Sequence, residues 1–128
     1  MTINYNQLDY INKTIKKFPN AKLQIVSKNQ DEKTVKELIS KGFYLFGENK
    51  VQEAQEKFQI LKKNNPKIEL HLTGPLQSNK VKTAVHLFDV FHTLDREKIA
   101  KEFAKHKNLL KSKKIFLQIN TGKEKTKS

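Results

Sequence analysis

A chain of 128 residues is long enough to bury one core and short for two. It holds no cysteine, which excludes disulfides and thiol chemistry, and no apolar run nears the roughly 20 residues that span a bilayer. The net charge of +13 brings a polyanion to mind, yet Arg96 is the only arginine and the lysines are scattered among Glu and Asn, so nucleic acid is not the expected partner.

Residues Met1 to Asn12 are polar and lack a signal-peptide core, which points to a cytoplasmic protein. Leu8, Ile11, Ile15 and Phe18 recur at spacings of three and four, which predicts a helix within Thr2–Phe18 that Pro19 stops. Leu23–Ser27 reads as the first strand, its nearly continuous apolar run suiting a parallel strand covered on both faces. Asp31 and Glu32 open a helix striped by Val35, Leu38 and Ile39, and Gly42 is placed to cap it in a left-handed conformation. Phe43–Phe46 is the second strand, and the helix after it carries Val51, Ala54, Phe58 and Leu61.

Asn64-Asn65-Pro66 is a loop, Ile68–Thr73 the third strand, and Leu76–Leu87 the helix that follows Gly74-Pro75. Phe88–Phe91 is the fourth strand. Asp95 is expected to cap a helix that buries Ile99, Phe103 and Ala104. Ile115–Ile119 is the fifth strand, and residues 122–128 form a polar tail.

Strand and helix alternate throughout, and Asn-Gly or Asp-Gly hairpin turns are absent. That combination predicts right-handed βαβ units and a parallel sheet. A doubly wound dinucleotide fold would announce itself by a Gly-rich first turn, but here that turn reads Ser27-Lys28-Asn29-Gln30-Asp31. A barrel places its active site at the C-terminal ends of its strands, which selects Lys28, Asn49, His71 with Gln77, and Asn120. Lys28 shares a strand face with Val26, so an inward Val26 would set its amine over the barrel mouth; the bland alternative is a solvated surface lysine. A lysine so placed can condense with an aldehyde cofactor. His71 is equally readable as a satisfied structural histidine. His86, His92 and His106 are not at metal-ligand spacing from it, so no metal is expected. Asp89 and Asp95 flank strand four but make a weak acid/base pair, and there is no Gly-x-Ser-x-Gly elbow.

Five blocks then carry a resemblance: Ile25-Val26-Ser27-Lys28, Phe46-Gly47-Glu48-Asn49-Lys50-Val51-Gln52-Glu53, Glu69-Leu70-His71-Leu72-Thr73-Gly74-Pro75-Leu76-Gln77-Ser78-Asn79-Lys80, Phe88-Asp89 with His92-Thr93-Leu94-Asp95, and Leu117-Gln118-Ile119-Asn120. In order and spacing the chain resembles the pyridoxal-phosphate homeostasis proteins, single-barrel relatives of alanine racemase. The resemblance implies an α/β fold of TIM type, a fold-type III pyridoxal-phosphate barrel. It also implies pyridoxal 5'-phosphate held as a Schiff base on Lys28, with Asn49 and His71 lining the mouth, and a role in cofactor homeostasis without established catalysis. Alanine racemase adds a second domain with a catalytic tyrosine, and nothing like it is present, so racemase activity is not expected.

One departure matters. A (β/α)8 barrel needs about 250 residues, whereas residues 1–128 supply roughly the first five strands of one such domain. The family's phosphate-holding serine and glycine backbone groups, and the basic residue facing the pyridine nitrogen, belong to the other half. The expectations are therefore a truncated barrel, unpaired edges open to self-association, and weak, exchangeable cofactor binding. Three alternatives stay open: a racemase-like enzyme, a basic nucleic-acid module, and a non-functional truncated product.

Overall fold

A computed structural model describes residues 2–122 and Lys125. Among them, five parallel strands form one sheet in the order β1-β2-β3-β4-β5: β1 Ile25–Val26, β2 Leu45–Glu48, β3 Glu69–Leu72, β4 Val90–Leu94 and β5 Lys114–Leu117. The intervening helices are α1 Tyr5–Ile15, α2 Glu32–Ser40, α3 Val51–Asn64, α4 Val81–Leu87 (preceded by a 3-10 turn at Ser78–Lys80), α5 Glu97–Ala104 and α6 Lys107–Leu110. A sequential parallel order with right-handed crossovers keeps the connecting helices on one side of the sheet.

The core lies between that helical layer and one sheet face. Phe46, Leu70, Leu72 and Phe91 supply the strand side, and Val35, Phe58, Val81, Ile99 and Phe103 the helix side. Aromatic pairs tie the layers together: Phe46 and Phe58 have ring centroids 5.4 Å apart, and Phe91 meets Phe103 edge-on at 5.1 Å. The opposite face is less covered. Val26 is 52% exposed on the edge strand β1, where cover on both faces was expected, and Phe116 and Leu117 are 52% and 66% exposed on β5. Within the described residues β1 and β5 each have one strand neighbour, as the expectation of open edges requires.

Several boundaries differ from the sequence reading. Helix α1 stops at Ile15, because the residue before Pro19 is biased out of helical geometry and Phe18 turns into solvent. Phe43 still belongs to the α2 terminus, its N–H donating to Leu38 O beside the left-handed Gly42 (φ 91°), so β2 begins two residues late and runs to Glu48. Leu76 is buried ahead of the 3-10 turn rather than inside a helix, since Gln77 is extended. Strand β4 reaches Leu94 with an irregular register against β5. Asp95 does not cap α5; Arg96 occupies the cap position, and the Asp95 carboxylate accepts from Arg96 Nη1 at 2.8 Å. Ala104 is exposed. Of the expected tail, Lys123, Glu124, Thr126, Lys127 and Ser128 lie outside the described residues.

Candidate functional site at the C-terminal strand ends

Every strand of the sheet points the same way, so the segments that follow them gather on one edge. Val26, Gly47 and His71 are level in the ladder. Lys28, Asn49 and Thr73 each stand two residues further along, beyond the last paired residues of β1, β2 and β3. The topology thus brings Lys28 and Asn49 to one edge, with His71 one step below them.

The segment carrying Lys28 is held tightly. Ser27 N–H donates to Gly47 O at 3.0 Å, and Gln30 N–H returns to Ser27 O at 3.1 Å. Asn29 adopts φ 62°, a left-handed turn that asparagine tolerates better than most residues. Behind the turn lies an ionic cluster the sequence reading missed. Ser27 Oγ donates to Glu48 Oε1 at 2.7 Å, and Lys57 Nζ reaches Glu48 Oε1 at 2.5 Å and Ser27 O at 2.6 Å. Glu53 Oε1 receives Lys57 Nζ at 3.1 Å and the Asn29 N–H at 2.5 Å. Glu48 is fully buried and Lys57 is 7% exposed. Burial pushes the Glu48 carboxyl above its ordinary range, against the pull of Lys57 and Ser27. Burial also raises Glu53, but the Asn29 amide and Lys57 together outweigh it and leave that carboxyl lowered. A signal for the cluster did exist: Lys57 falls three residues after Ala54, on the apolar stripe of α3, where a lysine needs a buried partner. Lys28 itself is exposed.

Asn49 is half-buried, and its Oδ1 is shut from solvent without a hydrogen-bond partner. Its neighbour across the edge is Gly74, where an added Cβ would stand 2.3 Å from Asn49 O. Thr73 closes the same seam by donating its N–H to Glu48 O at 2.8 Å. Beside them a cleft of about 520 Å³ is lined by Asn49, Lys50, Gln52, Gln77, Lys80 and Arg96.

His71 faces away from the core, and it is not isolated as sequence spacing suggested. Its Nδ1 lies 2.9 Å from His92 Nε2, the two rings stack at 5.1 Å, and His92 in turn stacks on Phe116 at 4.9 Å. His92 sits two residues beyond Val90, the ladder partner of His71, so the pairing is diagonal across β3 and β4. Burial holds His71 below the ordinary histidine range, and the nearby Glu69 only partly offsets it. A neutral His71 suits the short contact, because one ring nitrogen must accept. Among the described residues no three His, Asp or Glu side chains are grouped to hold a metal.

Asp89 and Asp95 lie at opposite ends of β4 and form no pair. Asp89 is structural, taking the Leu70 N–H at 2.8 Å and Lys62 Nζ at 2.7 Å. Gln77 and Asn120 follow their strands on the same edge as Lys28.

The fold and its strand-end edge define the class: a run of parallel βα units of barrel type, with an exposed amine and buried polar atoms where the strands end. No family model matches the chain. It is 40% identical to the pyridoxal phosphate homeostasis protein of Pasteurella multocida over 109 residues, 84% of this chain and 47% of that protein. Among solved structures it is similar to PipY of Synechococcus elongatus without PLP, with TM-score 0.84 and 33% identity over 96% of this chain and 56% of that one. PipY with PLP bound gives TM-score 0.75 and 34% identity over 88% and 54%. Over most of its length the chain is similar to pyridoxal phosphate homeostasis proteins, and it spans about half the length of the curated relatives it matches.

Proposed function

We propose that the chain binds pyridoxal 5'-phosphate through Lys28 and serves cofactor homeostasis in the cytoplasm rather than catalysing a reaction. The observation that carries this reading is the position of Lys28, exposed at the end of β1 on the edge that also holds Asn49, in a chain whose relatives are named for this cofactor. The residues present fit an aldehyde: a primary amine in reach of solvent, and a buried polar atom, Asn49 Oδ1, without a hydrogen-bond partner, while His71 Nε2 lies 3.5 Å from Glu69 Oε1. When bound, pyridoxal phosphate would supply an aldehyde group, and Lys28 would be the amine that holds it. Asn49 and His71 would orient the ring, and the turn at Asn29 keeps the amine at the edge.

Among the described residues β1 and β5 each have one strand neighbour, and such edges favour self-association. Titration with pyridoxal phosphate tests the reading. A new visible absorbance band that Lys28→Ala lacks supports it; an unchanged spectrum, as a ligand-free product would give, or a band that survives Lys28→Ala, overturns it.

A further inference from the structure

We propose that the buried Glu48–Lys57–Glu53 cluster is a positioning device for Lys28, gripping the backbone on both sides of that residue so that its amine is presented at the strand end. The inference rests on the reading of Lys28 given above, and it names residues outside the expected cofactor contacts.

The bonds converge on the two neighbours of Lys28. On the N-terminal side Ser27 is held three ways: its carbonyl by Lys57 Nζ (2.6 Å), its hydroxyl by Glu48 Oε1 (2.7 Å) and its N–H by Gly47 O (3.0 Å). On the C-terminal side the Asn29 N–H is held by Glu53 Oε1 (2.5 Å), which also fixes the left-handed turn. A single ammonium group joins the two sides, because Lys57 Nζ contacts Glu48, Glu53 and Ser27 O together. The residue between these anchors is exposed.

A cluster meant only to fasten α3 to the sheet would not take this form. A buried ion pair gives little stability over an apolar pair of the same volume, since desolvation of both charges offsets their attraction. Here Glu48 Oε2 is buried with no hydrogen-bond partner, a further cost that packing alone would remove. What the ionic arrangement provides, and an apolar one cannot, is directed bonds to a carbonyl, a hydroxyl and an amide within one turn. Preorganising a reactive amine through residues that never touch its ligand is how a supporting shell acts.

The test uses the full chain with Lys57→Met, and with the double variant Glu48→Gln/Lys57→Met, which removes the buried charges together and retains a fold should the single variant lose it. Amide hydrogen exchange without ligand is the first readout. Asn29 and Gln30 should exchange roughly tenfold faster in the variants, because the charge-assisted bond from Lys57 Nζ to Ser27 O and its tie to Glu53, which anchor the acceptors of those two amides, are lost, while amides of β3 keep their protection. The second readout is reductive labelling with pyridoxal phosphate and borohydride, mapped by peptide mass spectrometry. Preference for Lys28 over exposed lysines such as Lys36 should fall at least severalfold in folded variants and return in Lys57→Arg. Unchanged exchange at Asn29 and Gln30 in a folded variant overturns the proposal, as does undiminished preference for Lys28. If the unmodified chain itself shows no preference for Lys28, the binding reading fails, and the exchange result alone decides whether the cluster holds the turn.

Discussion

Burial, more than neighbouring charge, sets the proton on His71. A histidine depressed in the folded state contributes fully above its ordinary value of 6.5, and that contribution is lost as pH falls toward the folded value. Stability should therefore decline on acidification below about 6.5, and NMR titration of the imidazole should place His71 under that value. A midpoint above it would contradict the neutral stack with His92. At Gly74 the constraint is steric. Gly74→Ala drives a methyl into the Asn49 carbonyl, with 2.3 Å available, and should cost about 1–3 kcal/mol in thermal unfolding. Gly47→Ala meets only the tip of the Gln24 side chain, which can swing aside, and should cost less. The residues bearing on the site were unevenly legible. Lys28, Asn49 and His71 could be named because each falls at or near a strand end. Lys57 and His92 could not be tied to them, because their partners are 30 and 21 residues away in the chain.

At the scale of elements the sequence spoke clearly where the signal was local. The stripe Val51, Ala54, Phe58 and Leu61 is buried as its spacing required. Asp31 caps α2 by accepting the Thr34 N–H at 2.8 Å, and Gly42 ends that helix with positive φ. Strand limits were less legible, since they depend on where a neighbour's ladder starts and stops: Glu48 stays in β2 because Thr73 beyond β3 bonds its carbonyl. Two substitutions on α3 separate its faces. Phe58→Ala, at a fully buried position, should destabilise by about 3–5 kcal/mol, whereas Ile60→Ala, 67% exposed, should change little, with denaturant unfolding as the measure.

Across the whole molecule, the sheet is covered by helices on one side and ends in β1 and β5, each with one strand neighbour among the described residues. Phe116, Leu117 and Ile119 are 52%, 66% and 69% exposed at the β5 end. Such an edge invites pairing, and charge there discourages it. Light scattering should show concentration-dependent association that Leu117→Lys reduces; a strictly monomeric chain at high concentration would contradict this. The parallel βα order was legible as a whole because each unit announces itself locally, whereas the contacts that gather at the strand-end edge are made only when the units stand side by side.

One measurement goes straight to the claim on which the function turns. The chain is mixed with pyridoxal phosphate, reduced with borohydride and digested, and the modified lysine is located by mass spectrometry. A label concentrated on Lys28, against the background of so many other lysines, is the predicted result. A label spread across the exposed lysines, or concentrated on another one, contradicts it.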